Sequence, residues 1–231
     1  MGQYDDAKEQ VVATARKLTQ KGFLMATGGN LSVRIMGKNA FAITPSNYDY
    51  MKMIPVDVCI LDVDANIIEG QRKPSVESDL HAAIYQVRSD VNAIVHTHQV
   101  YASALSLIKA PIPALFDEQV RFLGRTVEII PYAPSGTGFL KKKITKYVRS
   151  HNNAYILQNH GVVCFGQDME RAVHNVEILE KCSLAYLLAL CSERPVSKIP
   201  LPVREIAFSK LRADQKKPGR VILIQERNDR Q

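Results

Sequence analysis

The sequence predicts one α/β domain whose central sheet is largely antiparallel. Predicted strands and helices alternate along the 231 residues, and the first two strands are separated only by the turn Gly37–Asn39, which predicts an antiparallel hairpin. The glycine-rich fingerprints of nucleotide-binding folds do not occur in the sequence. We expect the domain to cover residues 1–215 and a polar tail to follow over residues 216–231.

The predicted helices are segments in which apolar residues recur every three or four positions. The first begins near Asp5 and is stopped by Gly22. Ser78 and Asp168 are the predicted N-caps of two later helices. The predicted helices cover residues 5–21, 79–87, 101–107, 118–123, 139–150, 168–190 and 203–213.

The predicted strands are short apolar runs rich in β-branched residues. Turn sequences containing glycine, proline or asparagine separate several of them. Near the C-terminus, residues 221–225 are expected either to form a late strand or to lack regular structure. The other predicted strands cover residues 31–35, 40–44, 58–63, 91–95, 127–130, 154–157 and 162–165.

Composition indicates an ordinary globular protein whose positive charge favours anionic partners. The apolar fraction is 46% and the charged fraction 23%, as in ordinary globular domains. A net charge of +7 favours anionic partners, but the basic residues are spread along the chain. Their one dense cluster, Lys141–Lys143, fits a solvated helix face, and no nucleic-acid recognition motif accompanies it. We therefore expect no nucleic-acid partner.

Targeting features and cysteine spacing predict a cytoplasmic location. The first residues are acidic and lack the apolar core of a signal peptide. No apolar run reaches the length that spans a membrane, so no membrane partner is expected. The four cysteines form no Cys-X-X-Cys pair and lie in apolar segments, which favours buried reduced thiols.

A strand that ends in two histidines is the first candidate functional feature. Four of the five residues from Val91 to Val95 are apolar, and His96 and His98 follow. Strand side chains two residues apart point to the same face, so these imidazoles would form half of a metal site. The alternative, that both histidines have no metal, is about equally probable for an isolated His-X-His.

Two further residues are candidates for the same site. His160 lies in a polar Asn-His-Gly turn between two apolar strands, where it is the natural third ligand, although an ordinary turn histidine remains the alternative. Glu77 comes directly before a predicted helix. It is either a carboxylate favoured by the helix dipole or a fourth ligand and general acid/base. His81, His151 and His174 are expected to be structural.

Six short motifs occur in order between residues 27 and 161. They are Thr27-Gly-Gly-Asn-Leu-Ser32, Thr44-Pro-Ser46, Lys73-Pro-Ser-Val-Glu77 with His81, Ile94-Val-His-Thr-His98, Ile112-Pro-Ala114 and Gln158-Asn-His-Gly161. Together they resemble the class II aldolase/adducin family, especially its L-fuculose-phosphate aldolase branch, over about residues 5–190. The resemblance implies a three-layer α/β/α domain with a nine-stranded type of sheet. It also implies a homotetramer with active sites between subunits.

The resemblance also assigns roles to site residues. It implies zinc held by His96, His98 and His160, with Glu77 as a ligand of the resting metal that then moves off to act as base and acid. Asn30 resembles the amide that faces the enediolate oxygen. The sequence leaves open another divalent transition metal, such as manganese or cobalt.

The phosphate cradle of this branch is only partly preserved. The resemblance places substrate-binding positions at Gly29, Asn30, Ser46, Asn47, Ser75 and Val76. Asn47 stands where the branch has glycine, and Val76 stands where it has a serine hydroxyl. Asp117 occupies the position of the branch's tyrosine proton donor. We expect either that Asp117 is catalytic, or that it and Glu118 are an acidic pair at a helix start.

The expected function is a zinc-dependent aldolase that reversibly cleaves a small ketose phosphate through an enediolate, giving dihydroxyacetone phosphate and an aldehyde. The alternative is a metal-dependent decarboxylase, or another enolate-forming lyase, that acts on a sugar acid at the same site. An epimerase fits less well, because that branch has aspartate where Glu77 stands. A non-catalytic adducin-like module is the least favoured, because the full histidine set and Glu77 are present.

Overall fold

The computed structural model describes residues 2–217, which form an α/β domain around one sheet. The strands are β1 (Asn30–Ile35), β2 (Ala40–Ile43), β3 (Cys59–Asp62), β4 (Ile67–Glu69), β5 (Ala93–Thr97), β6 (Glu128–Ile130), β7 (Ala154–Leu157) and β8 (Gly161–Gly166). The helices are α1 (Asp5–Gln20), α2 (Ser78–Val87), α3 (Val100–Leu107), α4 (Asp117–Phe122), α5 (Gly138–Tyr147), α6 (Met169–Cys191) and α7 (Leu201–Gln215).

The sheet confirms the predicted strand arrangement. Its order is β4-β3-β2-β1-β5-β8-β7-β6, and every neighbouring pair is antiparallel except β6 with β7. The predicted hairpin is formed by β1 and β2, which pair from Ser32 with Ile43 to Ile35 with Ala40. The strand that carries the histidines, β5, lies at the middle of the sheet between β1 and β8.

Helices cover both faces of the sheet, which confirms the three-layer architecture. Alternate residues of each central strand enter different cores, as strand geometry requires. Leu31 and Val95 face the core shared with α1, α3 and α6. Ile94 faces the core shared with α2 and α5. Burial on both faces explains why the central strands read as continuous apolar runs.

Two local predictions need correction. Ser78 is not the N-cap of α2: the N-cap is Glu77, and the Ser78 hydroxyl instead donates to the carbonyl oxygen of Ser75 at 2.6 Å. The sequence reading also missed β4, whose isoleucines Ile67 and Ile68 are exposed at the edge of the sheet. The predicted cap Asp168 is confirmed, because its side chain accepts a hydrogen bond from the backbone of Arg171.

Two predictions involve residues near the C-terminus: the number of strands in the sheet and the boundary between the domain and the polar tail. Within residues 2–217 the sheet has eight strands, whereas the resemblance implies a nine-stranded type. The predicted late strand at residues 221–225 lies outside the described residues. The boundary between residues 215 and 216 stays a prediction. Among the helices of residues 2–217, none combines the length and the apolar character needed to cross a membrane.

Candidate metal centre

Sheet pairing places an amide beside a histidine at the centre of the molecule. Asn30 at the start of β1 is the direct partner of His96 on β5. Ser32 and Ile94 are partners two residues along the same strands, so the four side chains lie on the face covered by α2. His98 follows His96 by two residues, and His160 lies in the turn that joins β7 to β8, the strand next to β5.

The three predicted histidine ligands converge. Their ligand nitrogens all lie within 4.8 Å of one another, and the Nε2 atoms of His96 and His98 are 3.0 Å apart. His96 is fully buried, whereas His98 is the most exposed of the three. The structure thus brings together the three histidines that the sequence singled out.

Hydrogen bonding leaves His96 Nε2 facing the cluster as an acceptor. His96 Nδ1 donates to the carbonyl oxygen of Val162 at 2.7 Å, and burial lowers the pKa of His96 to about 4. A neutral imidazole has one N–H, so His96 Nε2 presents a lone pair. Two nitrogens bound to one tetrahedral zinc ion at about 2.0–2.1 Å are about 3.3 Å apart, close to the observed separation. The donor set fits a divalent cation.

Glu77 faces the histidine cluster from the helical side. Its Oε2 lies 3.2 Å from His96 Nε2, and its Oε1 lies 3.2 Å from His160 Nε2. The side chain is buried, and Oε1 accepts no hydrogen bond within the described residues. Burial works to raise the pKa of this carboxyl group, but the imidazoles and the Asn30 amide outweigh burial and lower it. Glu77 is thus an ionised acceptor with room for a cation.

The helix-dipole interpretation of Glu77 does not account for its side chain. Glu77 is the N-cap of α2, but its carboxylate makes no capping hydrogen bond. The carboxylate points to the histidines and accepts a hydrogen bond from Asn30 Nδ2 at 2.8 Å. This arrangement supports the second interpretation, in which Glu77 belongs to the site.

Two glycines permit the close packing behind the histidines. A Cβ atom at Gly161 would lie 2.5 Å from the Thr97 carbonyl oxygen and 2.7 Å from the His98 ring. A Cβ atom at Gly29 would lie 2.6 Å from the His96 carbonyl oxygen, and Gly29 has a φ of +78°. These contacts explain why glycine stands at both positions, since any side chain there would displace the backbone that carries the histidines.

A buried polar network behind Asn30 was missed by the sequence reading. His81 Nε2 lies 2.6 Å from Asn30 Oδ1, and Ser32 Oγ lies 2.6 Å from His81 Nδ1. Ser32 also contacts the Tyr85 hydroxyl at 2.8 Å. Burial lowers the pKa of His81 to about 3. One sequence signal was available: His81 follows Glu77 by four residues, so the two share a helix face.

The predicted phosphate-binding positions lie on two adjoining loops. Pro45 and Pro74 form an isolated antiparallel bridge, and the backbone of Ser46 donates to the Lys73 carbonyl oxygen. Ser75 Oγ accepts from the backbone N–H of Glu77 at 3.3 Å. The structure therefore places the residues 44–47 and 73–76 next to each other and next to Glu77.

The two departures from the phosphate cradle differ in their structural effect. Asn47 has a φ of +51°, a left-handed conformation that glycine and asparagine adopt most readily. Asparagine thus preserves the backbone of the loop. Val76 is 57% exposed and puts an apolar surface where the resemblance implies a hydroxyl.

The loop at Ser135 and Gly136 lies beside Val76 and the histidines. Ser135 Oγ is 3.3 Å from His160 Nε2, and a Cβ at Gly136 would lie 3.3 Å from the Val76 carbonyl oxygen.

Asp117 is not brought to the histidine cluster by the described contacts. It is exposed in the first turn of α4, and no hydrogen bond or ion pair within residues 2–217 joins it to the site. Its neighbour Glu118 forms an ion pair with Lys181 at 2.9 Å. The catalytic role of Asp117 stays a prediction.

Similarity to known proteins agrees with this site. The family model described as Class II Aldolase and Adducin N-terminal domain matches residues 9–187. The chain is 35% identical to 5-deoxy-D-ribulose 1-phosphate aldolase from Bacillus thuringiensis serovar kurstaki over 179 residues, which cover 78% of this chain and 83% of that protein. It is 36% identical to L-fuculose phosphate aldolase from Methanocaldococcus jannaschii over 183 residues, which cover 79% of this chain and 97% of that protein.

A solved structure of L-fuculose 1-phosphate aldolase shares the fold, with a TM-score of 0.84 and 32% identity over 90% of this chain and 96% of the other. The relatives are named as aldolases, which are lyases, so the prediction of an enzyme of the class II aldolase type is confirmed at the level of the family. The predicted fold class is confirmed as well. The chain belongs to the class II aldolase and adducin family.

Proposed function

We propose that this protein is a zinc-dependent aldolase that reversibly cleaves a small ketose 1-phosphate into dihydroxyacetone phosphate and an aldehyde. The observation that carries the proposal is the convergence of three imidazoles on a buried carboxylate whose Oε1 has no hydrogen-bond partner among residues 2–217. The names of the relatives, a 5-deoxy-D-ribulose 1-phosphate aldolase and L-fuculose phosphate aldolases, support a ketose 1-phosphate as the substrate class.

His96, His98 and His160 would hold the metal, with Glu77 as a fourth ligand in the resting state. When bound, the cation supplies positive charge that polarises the substrate carbonyl and stabilises the enediolate. Three nitrogen ligands and one replaceable oxygen ligand are the usual donor set of catalytic zinc. Imidazole also binds cobalt and nickel, so zinc is the proposed resident rather than the only metal the donors accept.

Glu77 is the proposed acid and base. In the cleavage direction Glu77 would take the proton of the substrate hydroxyl, the carbon–carbon bond breaks, and the electron pair of the broken bond passes to the carbon of the enediolate. Glu77, protonated, then returns a proton to that carbon, which completes dihydroxyacetone phosphate. Asn30 Nδ2 already donates to the Glu77 carboxylate. It would donate to the enediolate oxygen once the carboxylate turns away.

The adjoining loops at residues 44–47 and 73–76 are the proposed phosphate site. Donors from Gly29, Ser46, Asn47 and Ser75, among them the two serine hydroxyl groups, would bind the phosphate oxygens, with the protein's positive net charge favouring an anionic substrate. Val76 offers no such donor. Asp117, which no described contact within residues 2–217 joins to the histidines, would act on the aldehyde half of a site on a neighbouring subunit. This role requires the proposed homotetramer.

The proposed location is the cytoplasm. All four cysteines are free thiols, three of them buried, as expected in a reducing compartment.

Proton exchange tests the chemistry without knowledge of the aldehyde. The zinc-loaded protein would be incubated with dihydroxyacetone phosphate in heavy water, and the C3 hydrogens would be followed by NMR. We expect exchange that stops on chelation and falls by about 10²–10⁴ in E77Q, while E77Q retains zinc. D79N is the matched control, because Asp79 is an exposed carboxylate on the same turn.

Two outcomes would overturn the proposal. Unchanged exchange in E77Q would remove the acid/base role of Glu77. Absence of exchange in the zinc-loaded wild-type protein would remove dihydroxyacetone phosphate as the donor. Release of carbon dioxide from a sugar acid would then assign the site to the alternative, a metal-dependent decarboxylase.

A further inference from the structure

A continuous chain of buried polar groups leads from the Tyr85 hydroxyl to the Glu77 carboxylate. It passes through Ser32, His81 and Asn30, with successive contacts of 2.8, 2.6, 2.6 and 2.8 Å. All five residues are buried, with His81 and Ser32 fully so. Burial removes these groups from bulk water, so each is expected to use the hydrogen-bond partner that the structure provides.

The direction of every hydrogen bond in this network follows from its last acceptor, the Glu77 carboxylate. An ionised carboxylate only accepts, so Asn30 turns its NH₂ group to Glu77 and its Oδ1 to His81. Oδ1 only accepts, so His81 carries its proton on Nε2. A neutral imidazole then has a bare Nδ1, which accepts from the Ser32 hydroxyl. Ser32 in turn accepts from Tyr85.

We infer that Ser32 and His81 are positioning residues: Ser32 holds His81 in the Nε2–H tautomer, and His81 thereby fixes the amide of Asn30 with its NH₂ group toward Glu77. This inference rests on the proposed role of Glu77 and extends it to residues that touch neither metal nor substrate. Reversal of the amide would bring Oδ1 against the carboxylate at the 2.8 Å now spanned by a hydrogen bond, and later against the enediolate oxygen.

Register and helix phase explain why these residues can act as one unit. Asn30 and Ser32 lie two residues apart on β1 and share a face, while His81 and Tyr85 lie four residues apart on α2. The imidazole of His81 fits between the two β1 side chains and binds both, through Nε2 and Nδ1 respectively. Only an imidazole, with one donor and one acceptor on opposite sides of a rigid ring, meets both demands.

The test compares two variants, each of which loses one buried hydroxyl group of this hydrogen-bond network. S32A removes the donor to His81 Nδ1, whereas Y85F removes the hydroxyl beyond Ser32 and leaves that donor in place. S32A loses the hydrogen bonds of Ser32 to both His81 and Tyr85, whereas Y85F loses only the second, so urea denaturation of both variants measures the loss of stability separately from the tautomer. ¹⁵N NMR of the imidazole nitrogens, in the metal-free protein, shows which ring nitrogen of His81 carries the proton.

We expect Nε2–H in the wild-type protein and in Y85F, and a mixture of tautomers in S32A. The exchange rate of zinc-loaded S32A is expected to fall at least about tenfold, within the loss of about 10²–10³ for removing an oriented oxyanion donor, with zinc stoichiometry retained. S32T restores the hydroxyl and should restore both the tautomer and the rate. H81Q, which keeps an N–H for Asn30, should be more active than H81L.

The failures of this inference and of the proposed function are distinguishable. A wild-type His81 with its proton on Nδ1 would overturn the inference whatever the activity. An S32A protein that keeps the pure Nε2–H tautomer and the full exchange rate would overturn it as well. Absence of exchange in the wild-type protein concerns the proposed function, and the tautomer measurement in S32A, Y85F and S32T still decides the positioning role.

Discussion

Asn30 and His96 are direct partners across the antiparallel pair of β1 and β5. Asn30 donates to Glu77, and His96 is the most buried histidine of the cluster. Sheet hydrogen bonds rather than a loop therefore position both side chains. A slip of one residue would turn both side chains to the other face of the sheet. The register of two central strands thus fixes the geometry of the site, and the predictions below depend on it.

Each histidine of the cluster is expected to be needed for metal binding. Replacement of His96, His98 or His160 by alanine should lower zinc affinity by more than the 10–100-fold that loss of an outer partner costs, about two orders of magnitude or more. Metal content after gel filtration measures the effect. H174A is the control, because His174 lies on α6 and packs edge-on against the ring of Phe122 on α4. Full zinc occupancy in H96A would refute the ligand assignment.

The glycines of the sequence motifs provide a test of backbone strain against steric overlap. G29A should lower the free energy of unfolding by more than the roughly 1 kcal/mol expected from a positive φ alone, because its Cβ would also strike the His96 carbonyl oxygen. Gly37 has a similar φ of +73° with nothing within 4 Å, so G37A isolates the backbone cost. Urea denaturation of both variants measures the difference. Equal losses would contradict the overlap.

Acid should destabilise the metal-free protein through its buried imidazoles. The pKa of His81 is about 3 in the folded protein, because burial disfavours its charged form, against an ordinary value of 6.5. Between these values the unfolded chain binds a proton at His81 and the native protein does not, so the free energy of unfolding falls as pH falls. One such group contributes a slope of up to about 1.4 kcal/mol per pH unit.

The variant H81Q tests this dependence, because glutamine does not titrate. Urea denaturation between about pH 6.5 and 4 should show a shallower loss of stability in H81Q than in the wild-type protein. His96 contributes in the same direction, since burial lowers its pKa to about 4, so part of the slope should remain. A stability that is independent of pH over this range in the wild-type protein would contradict the burial of both imidazoles as neutral groups.

Val76 is expected to weaken phosphate binding. V76S supplies a hydroxyl beside Ser75, and one hydrogen bond to a charged group is worth about 1.5–3 kcal/mol. The KM for a phosphorylated ketose should therefore fall by about tenfold or more, with little change for its non-phosphorylated analogue. V76A removes the branched side chain without adding a donor, so it separates crowding from hydrogen bonding. An equal improvement in V76A would assign the effect to crowding.

The residues with local signals could be predicted from the sequence. Helix periodicity and apolar runs located the helices and seven of the strands, and the alternation of side chains placed His96 and His98 on one face. The N-cap of α2 was assigned one residue late, because a serine hydroxyl is the commoner cap. The sequence does not predict the short strand β4, because its isoleucines are exposed and its pairing with β3 is irregular at Ile60 and Leu61.

The network behind the site depends on contacts that a sequence does not display. His81 was expected to be structural, because its position on a helix says nothing of its partners Asn30 and Ser32, about fifty residues earlier. Asp117 presents the opposite case: the resemblance singled it out, but no hydrogen bond or ion pair within residues 2–217 joins it to the site, and the proposed role places it at the site of another subunit.

The backbone of Glu77 begins α2 while its carboxylate makes no contribution to the helix end. The Glu77 carbonyl oxygen accepts from Leu80 and His81, and the neighbouring Ser78 hydroxyl binds the Ser75 carbonyl oxygen. Departure of the carboxylate from the imidazoles therefore requires only rotation about side-chain bonds, with no fraying of the helix. A proton carrier of this kind can travel between two positions while the scaffold around it stays still.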